Sequence, residues 1–465
     1  MAEPRTKKKN ALKGKGGLIM VGAVVLMSIV FFFEQKAPPP RDPDANPPVS
    51  EYAHLRSEDV TRVEVKRPSG GFTLVRQGKN WTFEAPGRYR ASTENVNSWL
   101  KGALEDATVD RTVEGKPQDL STYGLDKPGV EVVLTGRGGD TRTLQVGKDF
   151  KAPGDTGAGV FYAREAKDGR MFMLSSTQLE ALRDKKLDDL RDKRLVELGE
   201  PKDVQRVTLV RATGSVELER QGEKWRMTQP FPAPADRTSV ESELIGQLKT
   251  SESASFADNA ATDLAKYGLD HPTLTVNVTD KQGAHTVLFA QKDGKIYSAR
   301  QGEREVVEVS KSTFDNLNKQ PADLRDRQLI SLQRDKITFV ELKNSRGTSR
   351  LQKVSGNQWM VTGADGKQKK AKGDQVDRVI DTLIAPASKH VEEAPKDLKK
   401  YGLDQPAITA TVNEGTGTSQ ILTIGKKAKD TYYAKGSPDA VFEVQGYVFS
   451  DLDVAPGAFE DTAKK

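Results

Sequence analysis

Asp119-Leu-Ser-Thr-Tyr-Gly-Leu-Asp-Lys-Pro128 returns as Asp263-Leu-Ala-Lys-Tyr-Gly-Leu-Asp-His-Pro272 and again as Asp397-Leu-Lys-Lys-Tyr-Gly-Leu-Asp-Gln-Pro406, with seven of ten positions identical in all three copies. A tryptophan stands 42 residues before each tyrosine: Trp81 before Tyr123, Trp225 before Tyr267 and Trp359 before Tyr401. The copies therefore share a framework much longer than the phrase, with tyrosine-to-tyrosine periods of 144 and 134 residues. A chain of 465 residues has room for about three domains of ~150 residues. Triplication of one domain is the reading that fits both facts.

The phrase itself reads as the end of a short helix. Gly124 stands where the chain needs a left-handed residue, which glycine adopts without a Cβ clash. Leu120 and Leu125 then occupy the two positions that touch in a Schellman cap, and Pro128 prevents further helix. The pair recurs as Leu264 with Leu269 and Leu398 with Leu403. Because capping already explains these residues, a thrice-repeated ligand site built on the Asp and Tyr is the weaker reading.

Composition narrows the classes of function. Net charge is +6, but residues 1–15 hold six Lys or Arg against Glu3 alone. The remainder has 66 basic and 65 acidic residues, so no basic field for nucleic acid is expected. Cysteine is absent, which removes disulfides, thiolate metal sites, cysteine nucleophiles and a lipoprotein anchor.

After the basic tail, Gly16-Gly-Leu-Ile-Met-Val-Gly-Ala-Val-Val-Leu-Met-Ser-Ile-Val-Phe-Phe-Phe33 has no charge. As a helix it would reach roughly 27 Å, close to the ~30 Å hydrocarbon thickness of a bilayer. No small-residue cleavage site follows, and the stretch exceeds a signal-peptide core, so a retained signal anchor is expected. The positive tail 1–15 then stays cytoplasmic, and the bulk of the chain lies in the periplasm, tethered to the inner membrane through residues 16–33. Residues 34–50 form a proline-rich linker, with six prolines between Ala37 and Pro48. Beyond it we place repeat 1 at 51–190, repeat 2 at 191–324, repeat 3 at 325–454 and a frayed tail at 455–465.

Within repeat 1, Val60–Val65, Phe72–Arg76 and Trp81–Phe83 alternate around turns and predict a three-stranded meander. The pattern returns from Val204 and from Ile337. Each tryptophan should be core, supplying packing that a small sheet lacks. An amphipathic helix follows, capped in the first copy by Ser92 and carrying Val96, Trp99, Leu100, Ala103 and Leu104 on one face. Val240, Leu244 and Leu248 mark it in the second copy, and Val376, Val379, Ile380 and Leu383 in the third. Further strands and a repeated tyrosine (Tyr162, Tyr297, Tyr433) complete each unit. The fold class expected is α+β: three tandem homologous β-rich domains behind one N-terminal transmembrane helix. Asp189-Leu-Arg-Asp192 and Asp323-Leu-Arg-Asp326 join the units, and third-repeat sequence shows no copy. A clamp between neighbouring domains and a solvated charged face compete for this phrase, and the solvated face is the plainer account.

No catalytic, cofactor-binding or metal-binding residue emerges. The four histidines, His54, His271, His285 and His390, have no metal-type spacing, and the glycine clusters at 14–17 and 136–139 lack the strand-to-helix setting of a phosphate cradle. Positions shared by all units are explained by folding, so a site used once should lie where they differ. Trp99, Tyr89, Phe231, Tyr447 and Phe449 are aromatics of that kind.

With its anchor, proline spacer and three units of Trp followed by Asp-Leu-x-x-Tyr-Gly-Leu-Asp-x-Pro, the chain resembles the domain of unknown function 4340 family over about residues 50 to 450. Its members are membrane-anchored bacterial envelope proteins, often encoded beside gliding-motility-type ABC exporters. The resemblance implies an envelope location and an ABC-type transporter as protein partner, and it brings no catalytic residues. The expected function is a periplasmic binding or scaffolding module rather than an enzyme, with a carboxylate-based envelope hydrolase or a solute-binding protein as the alternatives.

Overall fold

The computed structural model describes residues 46–115, 117–150, 159–175, 183–363, 365–415, 417 and 419–462. The expected transmembrane helix at 16–33, the tail before it and most of the proline-rich linker lie outside the described residues. Among the described residues, no helix is long and apolar enough to cross a membrane. The chain divides into two compact units, Met1–Asp192 and Lys193–Lys465. Repeat 1 makes the first, and repeats 2 and 3 share the second.

Each repeat builds one antiparallel sheet with the same order. In the first, β1 (Val60–Lys66), β2 (Phe72–Gln77) and β3 (Asn80–Ala85) form the meander, and β4 (Arg111–Val113), β5 (Val130–Gly136), β6 (Thr141–Phe150), β7 (Val160–Glu165) and β8 (Met171–Ser175) follow. The spatial order is β3-β2-β1-β5-β6-β7-β8-β4. Repeat 2 runs from β9 (Arg206–Arg211) through β10 (Gly214–Gln221), β11 (Lys224–Gln229), β12 (Ala233–Ala235), β13 (Ser255–Asp258), β14 (Leu274–Asp280), β15 (Gly283–Lys292) and β16 (Lys295–Arg300) to β17 (Val306–Val309). Repeat 3 has β18 (Ile337–Asn344), β19 (Gly347–Ser355), β20 (Gln358–Thr362), β21 (Gln368–Lys370), β22 (Lys389–Glu393), β23 (Ile408–Glu414), β24 (Ser419–Ala428), β25 (Thr431–Lys435) and β26 (Ala440–Gln445). Their orders, β12-β11-β10-β9-β14-β15-β16-β17-β13 and β21-β20-β19-β18-β23-β24-β25-β26-β22, repeat the first plan with one added edge strand. The α+β, triplicated expectation holds at this level.

Period-two alternation puts one face of each sheet inside: Val130, Val132 and Leu134 of β5 are buried, with their neighbours partly exposed. The amphipathic helix closes that face. Its hydroxyl cap forms as read, the Asn95 amide donating to Ser92 Oγ at 3.2 Å, and Val96, Trp99 and Leu100 are buried. Beyond Lys101 the helix widens to a π turn over Gly102–Asp106, which keeps Ala103 and Leu104 in the core. The helix and the short strand after it carry the chain from the meander edge to the opposite edge, where β4 pairs with β8, β13 with β17 and β22 with β26.

The three tryptophans share one environment. All are nearly fully buried, at 3%, 2% and 5% exposure, and each belongs to the main core of its repeat. Trp81 Nε1 donates to Asn97 Oδ1 and Trp225 Nε1 to Glu241 Oε1, both acceptors sixteen residues on. Arg76 and Arg220 lie over the first two indoles at 4.9 and 4.6 Å. In repeat 3 a bulge leaves Val354 exposed, and Lys353, the residue paired with Trp359, sends its Nζ to the Asp335 carbonyl.

The repeated phrase is the cap that its residues specify. Gly124, Gly268 and Gly402 have φ of 65°, 72° and 67°. The Leu125, Leu269 and Leu403 amides reach back to the carbonyls of Leu120, Leu264 and Leu398, each at 3.0 Å, which is the six-to-one bond of a Schellman motif. The leading aspartates turn the chain in, accepting from the amides of Ser121, Ala265 and Lys399. Each phrase tyrosine packs edge-on against the later repeated one: Tyr123 on Tyr162, Tyr267 on Tyr297 and Tyr401 on Tyr433, with centroids 4.8 to 5.1 Å apart.

A β-bulge gives one of these caps a measurable weak point. β24 shifts register after Ile424, and Gly425 is pressed so close that a Cβ there would lie 2.3 Å from the Tyr401 carbonyl oxygen. Gly147 repeats this at 2.1 Å from the Tyr123 oxygen, whereas repeat 2 is one residue shorter between Tyr267 and Phe289, has no such bulge in β15, and carries Ala290. Gly425→Ala is therefore expected to cost about 1–3 kcal/mol by overpacking. Urea denaturation of wild type and variant checks it, and an unchanged midpoint would contradict the assigned contact.

Residues 455–462 correct the frayed-tail expectation. Phe459 is fully buried in the third core, and the Lys372 amide donates to its carbonyl at 2.8 Å. The same bond is made by Ser92 to Leu190 and by Asp236 to Leu324. Pro456-Gly-Ala-Phe-Glu-Asp461 is thus the third copy of the linking phrase, with Phe459 in the place of its leucine and Glu460 in that of its arginine. The sequence signal was missed because the Leu-Arg pair had changed to Phe-Glu.

Candidate functional site

The linking phrase is where the sequence reading needs its main correction. Arg191 and Arg325 are each only 1% exposed, so neither lies on a solvated face. The local fold explains how they are placed. Asp323 accepts from the Gln320 amide at 2.7 Å and starts the turn Pro321–Leu324, Leu324 is fully buried, and the Asp326 amide donates to the Pro234 carbonyl. The arginine between them has one direction left, inward. Asp189 does the same at the Lys186 amide, Leu190 is buried, and Arg191 lies 4.5 Å above the ring of Tyr89.

Between repeats 2 and 3, which lie in one compact unit, this geometry makes a seam. The chain leaving repeat 2 bridges Ala235 through Arg325 and then Pro386 of repeat 3 through Gln328. Arg325 presents its guanidinium fork to Glu393 at the end of β22, Nε to Oε2 at 3.0 Å and Nη2 to Oε1 at 3.3 Å. Its Nη1 donates to the carbonyls of Asp326 and Pro234. His390, on the same strand as Glu393, has Nε2 3.1 Å from Glu393 Oε2. The imidazole is held between Phe231 of repeat 2, centroids 5.8 Å apart, and Phe442 of repeat 3, at 5.5 Å. Burial pushes the His390 ring below its ordinary pKa, Glu393 opposes that shift, and the Arg325 cation adds to it.

The remaining singled-out aromatics separate into two groups. Trp99 is core, Tyr89 lies under Arg191, and Phe449 stacks on Tyr432 with centroids 4.2 Å apart. Tyr447 is 55% exposed and lines a shallow groove with Asp374, Asp377, Arg378, Asp381, Thr382 and Ala385. Arg334 already spans two of those acids, at 2.6 Å to Asp381 and 2.9 Å to Asp377.

The other histidines are peripheral. His54 lies 2.7 Å from Asp168, His285 lies 3.2 Å from the buried Asp280, and the His271 side chain is 94% exposed. Among the described residues, no three His, Asp or Glu side chains stand where they could hold a metal together. The buried carboxylates are occupied by the fold: Glu165 accepts from the Thr143 and Asp168 amides, Asp280 from those of Gly199, Gln282 and Gly283, and Asp192 pairs with Arg90 at 3.4 Å. What the seam offers chemically is a buried ion pair and an aromatic clasp around an imidazole.

With this geometry set out, comparison supplies the family. The model of the Domain of unknown function (DUF4340) matches residues 81–226, 225–385 and 369–463. The chain belongs to that family. The first two matches begin at the repeated tryptophans, Trp81 and Trp225. In this DUF4340 protein the first match runs from the third strand of one meander to that of the next, whereas the second continues past Trp359 to residue 385 and the third begins at 369, in β21. No curated protein matches. Two solved structures that align are the DNA polymerase III subunit beta from Pseudomonas aeruginosa, at 8% identity and TM-score 0.15, and the DNA polymerase sliding clamp from Pseudomonas aeruginosa with ligand, at 8% and 0.13. Each alignment covers 85% of this chain and 94% of the other. Similarity of that degree carries no argument about fold or function.

Proposed function

We propose that this protein is a single-pass inner-membrane protein whose three repeats stand in the periplasm as a binding or scaffolding module, serving as an accessory to an ABC-type exporter. The observation that carries the reading is the division of labour in the sequence. A basic tail, an uncharged stretch of eighteen residues and a proline-rich spacer precede three copies of one domain. The residues common to the copies cap, pack and pair within the fold, as Trp225, Gly268 and Tyr267 do in repeat 2. Repetition of a β-rich unit multiplies surface, which suits a protein that holds others. For the alternative, a carboxylate hydrolase, two acids must face a cleft free to react, whereas Glu165 and Asp280 are engaged by backbone amides, and Asp377 and Asp381, in the groove beside Tyr447, are spanned by Arg334.

Topology and partnership are tested separately. A reporter active only outside the cytoplasm, fused at the C-terminus of the full chain, is expected to be active, and activity confined to a cytoplasmic reporter would overturn the anchor. Cross-linking in intact cells followed by purification is expected to recover the membrane subunit of an ABC exporter in stoichiometric yield. Recovery of this chain alone, under conditions that keep known membrane complexes whole, would overturn the accessory role.

A further inference from the structure

Of the four histidines, His390 is the one whose side chain is almost closed off from solvent, at 9% exposure, and it is closed off by residues of two different repeats. We propose that the seam between repeats 2 and 3 is an acid-sensitive latch, closed while the His390 ring is neutral and loosened when the ring takes up a proton. The inference concerns contacts within one compact unit and stands whether or not the protein is an exporter accessory.

Charge bookkeeping at the seam gives the reason. Glu393 is the carboxylate in contact with His390, and the Arg325 fork already neutralises it. A proton on the imidazole therefore leaves a net positive charge in a site walled by Phe231 and Phe442. The other charged groups on the packed elements are engaged elsewhere. On β22, Glu392 accepts from Tyr401, and on β26, Glu443 accepts from Thr431. On the linking segment, Asp326 accepts from the Gln328 amide and Arg327 donates to the Ser388 carbonyl. Lys389 is exposed at the start of β22 and contributes further positive potential. The segment carrying Phe231, Pro230-Phe231-Pro232-Ala233-Pro234, has no charge to add.

The direction in pH follows from linkage. When the repeats part, the ring is free to titrate near its ordinary value of 6.5, while burial in the closed seam holds it lower. Between those two values the parted state binds more protons. Closure is therefore at full strength above the free-ring value, weakens as pH falls toward the closed-state value, and is constant again below it. The same contact that orders the seam at neutral pH makes it yield in acid.

Hydrogen exchange of the full-length protein in detergent micelles tests this at about pH 7.5 and about pH 5, after correction for intrinsic rates. Peptides covering 322–329 and 386–393, which include the Asp326 amide bound to the Pro234 carbonyl and the Ala387 amide bound to the Arg327 carbonyl, report the seam, and 408–414 in β23 reports the core. Each unit of pKa difference is about tenfold in the opening equilibrium, so faster seam exchange at the acid pH, with β23 unchanged, is expected. His390→Gln keeps a donor that cannot titrate and should flatten the response. Equal seam protection of the wild type at both pH values, or a His390→Gln protein that keeps the full response, would overturn the latch. If that variant fails to fold, the ring titration of His390 in the wild type decides: a value at or above the ordinary one overturns the proposal, and a depressed one supports it.

Discussion

Replacing Trp225 by alanine is expected to cost about 3–5 kcal/mol of stability, the loss typical of a large aromatic removed from a packed core. The indole is 2% exposed and packs in the cluster that includes Leu218, Met227, Ala235 and Val240. Its removal does more than leave a cavity. Glu241 loses the Trp225 Nε1 donor, and Arg220, whose side chain is 7% exposed, loses the ring beneath it while still bound to Glu241 at 2.7 Å. Burial opposes ionisation of Glu241, and hydrogen bonds from Arg237, Trp225 and Arg220 outweigh it, so its carboxyl titrates below the usual range. That stabilisation is present above the ordinary carboxylate value and is lost as pH falls through the depressed one. Trp359→Ala provides an internal comparison, because no arginine stacks there: β19 bulges at Val354 and Lys353 is the residue paired with Trp359. Its cost should be smaller by about the 0.5–2 kcal/mol of a cation–π contact. Guanidinium denaturation followed by far-ultraviolet circular dichroism measures both, and equal losses would show that the arginine stack contributes nothing.

The second large effect is expected at the seam, where Arg325→Ala should cost about 3–5 kcal/mol, the usual penalty for breaking a buried ion pair from one side. Glu393, 19% exposed, would keep its charge and lose a two-bond partner, and the Pro234 carbonyl would lose a donor. Replacing both members, Arg325→Met with Glu393→Met, should recover most of the loss, since the unpaired charge is gone. Arg206→Ala is the control. Its partners Glu219 and Glu217 are 33% and 25% exposed and Arg206 itself 53%, so less than about 1 kcal/mol is expected. An Arg325→Ala cost no larger than the Arg206→Ala cost would mean that the pair does not hold the repeats together.

Both effects bear on how far the candidate site was legible. Phe231 was flagged because it breaks the repeat symmetry, and it does face His390 across the seam. Nothing in the spacing of His390, Glu393 and Arg325 brings them together: 65 or more residues separate the arginine from the other two, and β22 meets it only by pairing with β26 at the far sheet edge. The phrase Asp323-Leu-Arg-Asp326 was visible, but charge-rich composition favours solvent as the default for an arginine. Burial followed from the two flanking aspartates, which are used up on backbone amides and on the turn.

What the sequence determined by itself was everything carried by local stereochemistry and periodicity. Three glycines that need positive φ, leucines placed to close each cap, alternation in the meanders and one apolar stripe per helix are written within a few residues of where they act. Family and triplication follow from those short-range signals. Only the tertiary structure decided the strand that crosses to the opposite edge, the bulges that press Gly147 and Gly425 against the caps, and the arginine buried between repeats. Those depend on pairings between residues far apart in the chain, where desolvation and hydrogen-bond geometry, and no local preference, select the partner.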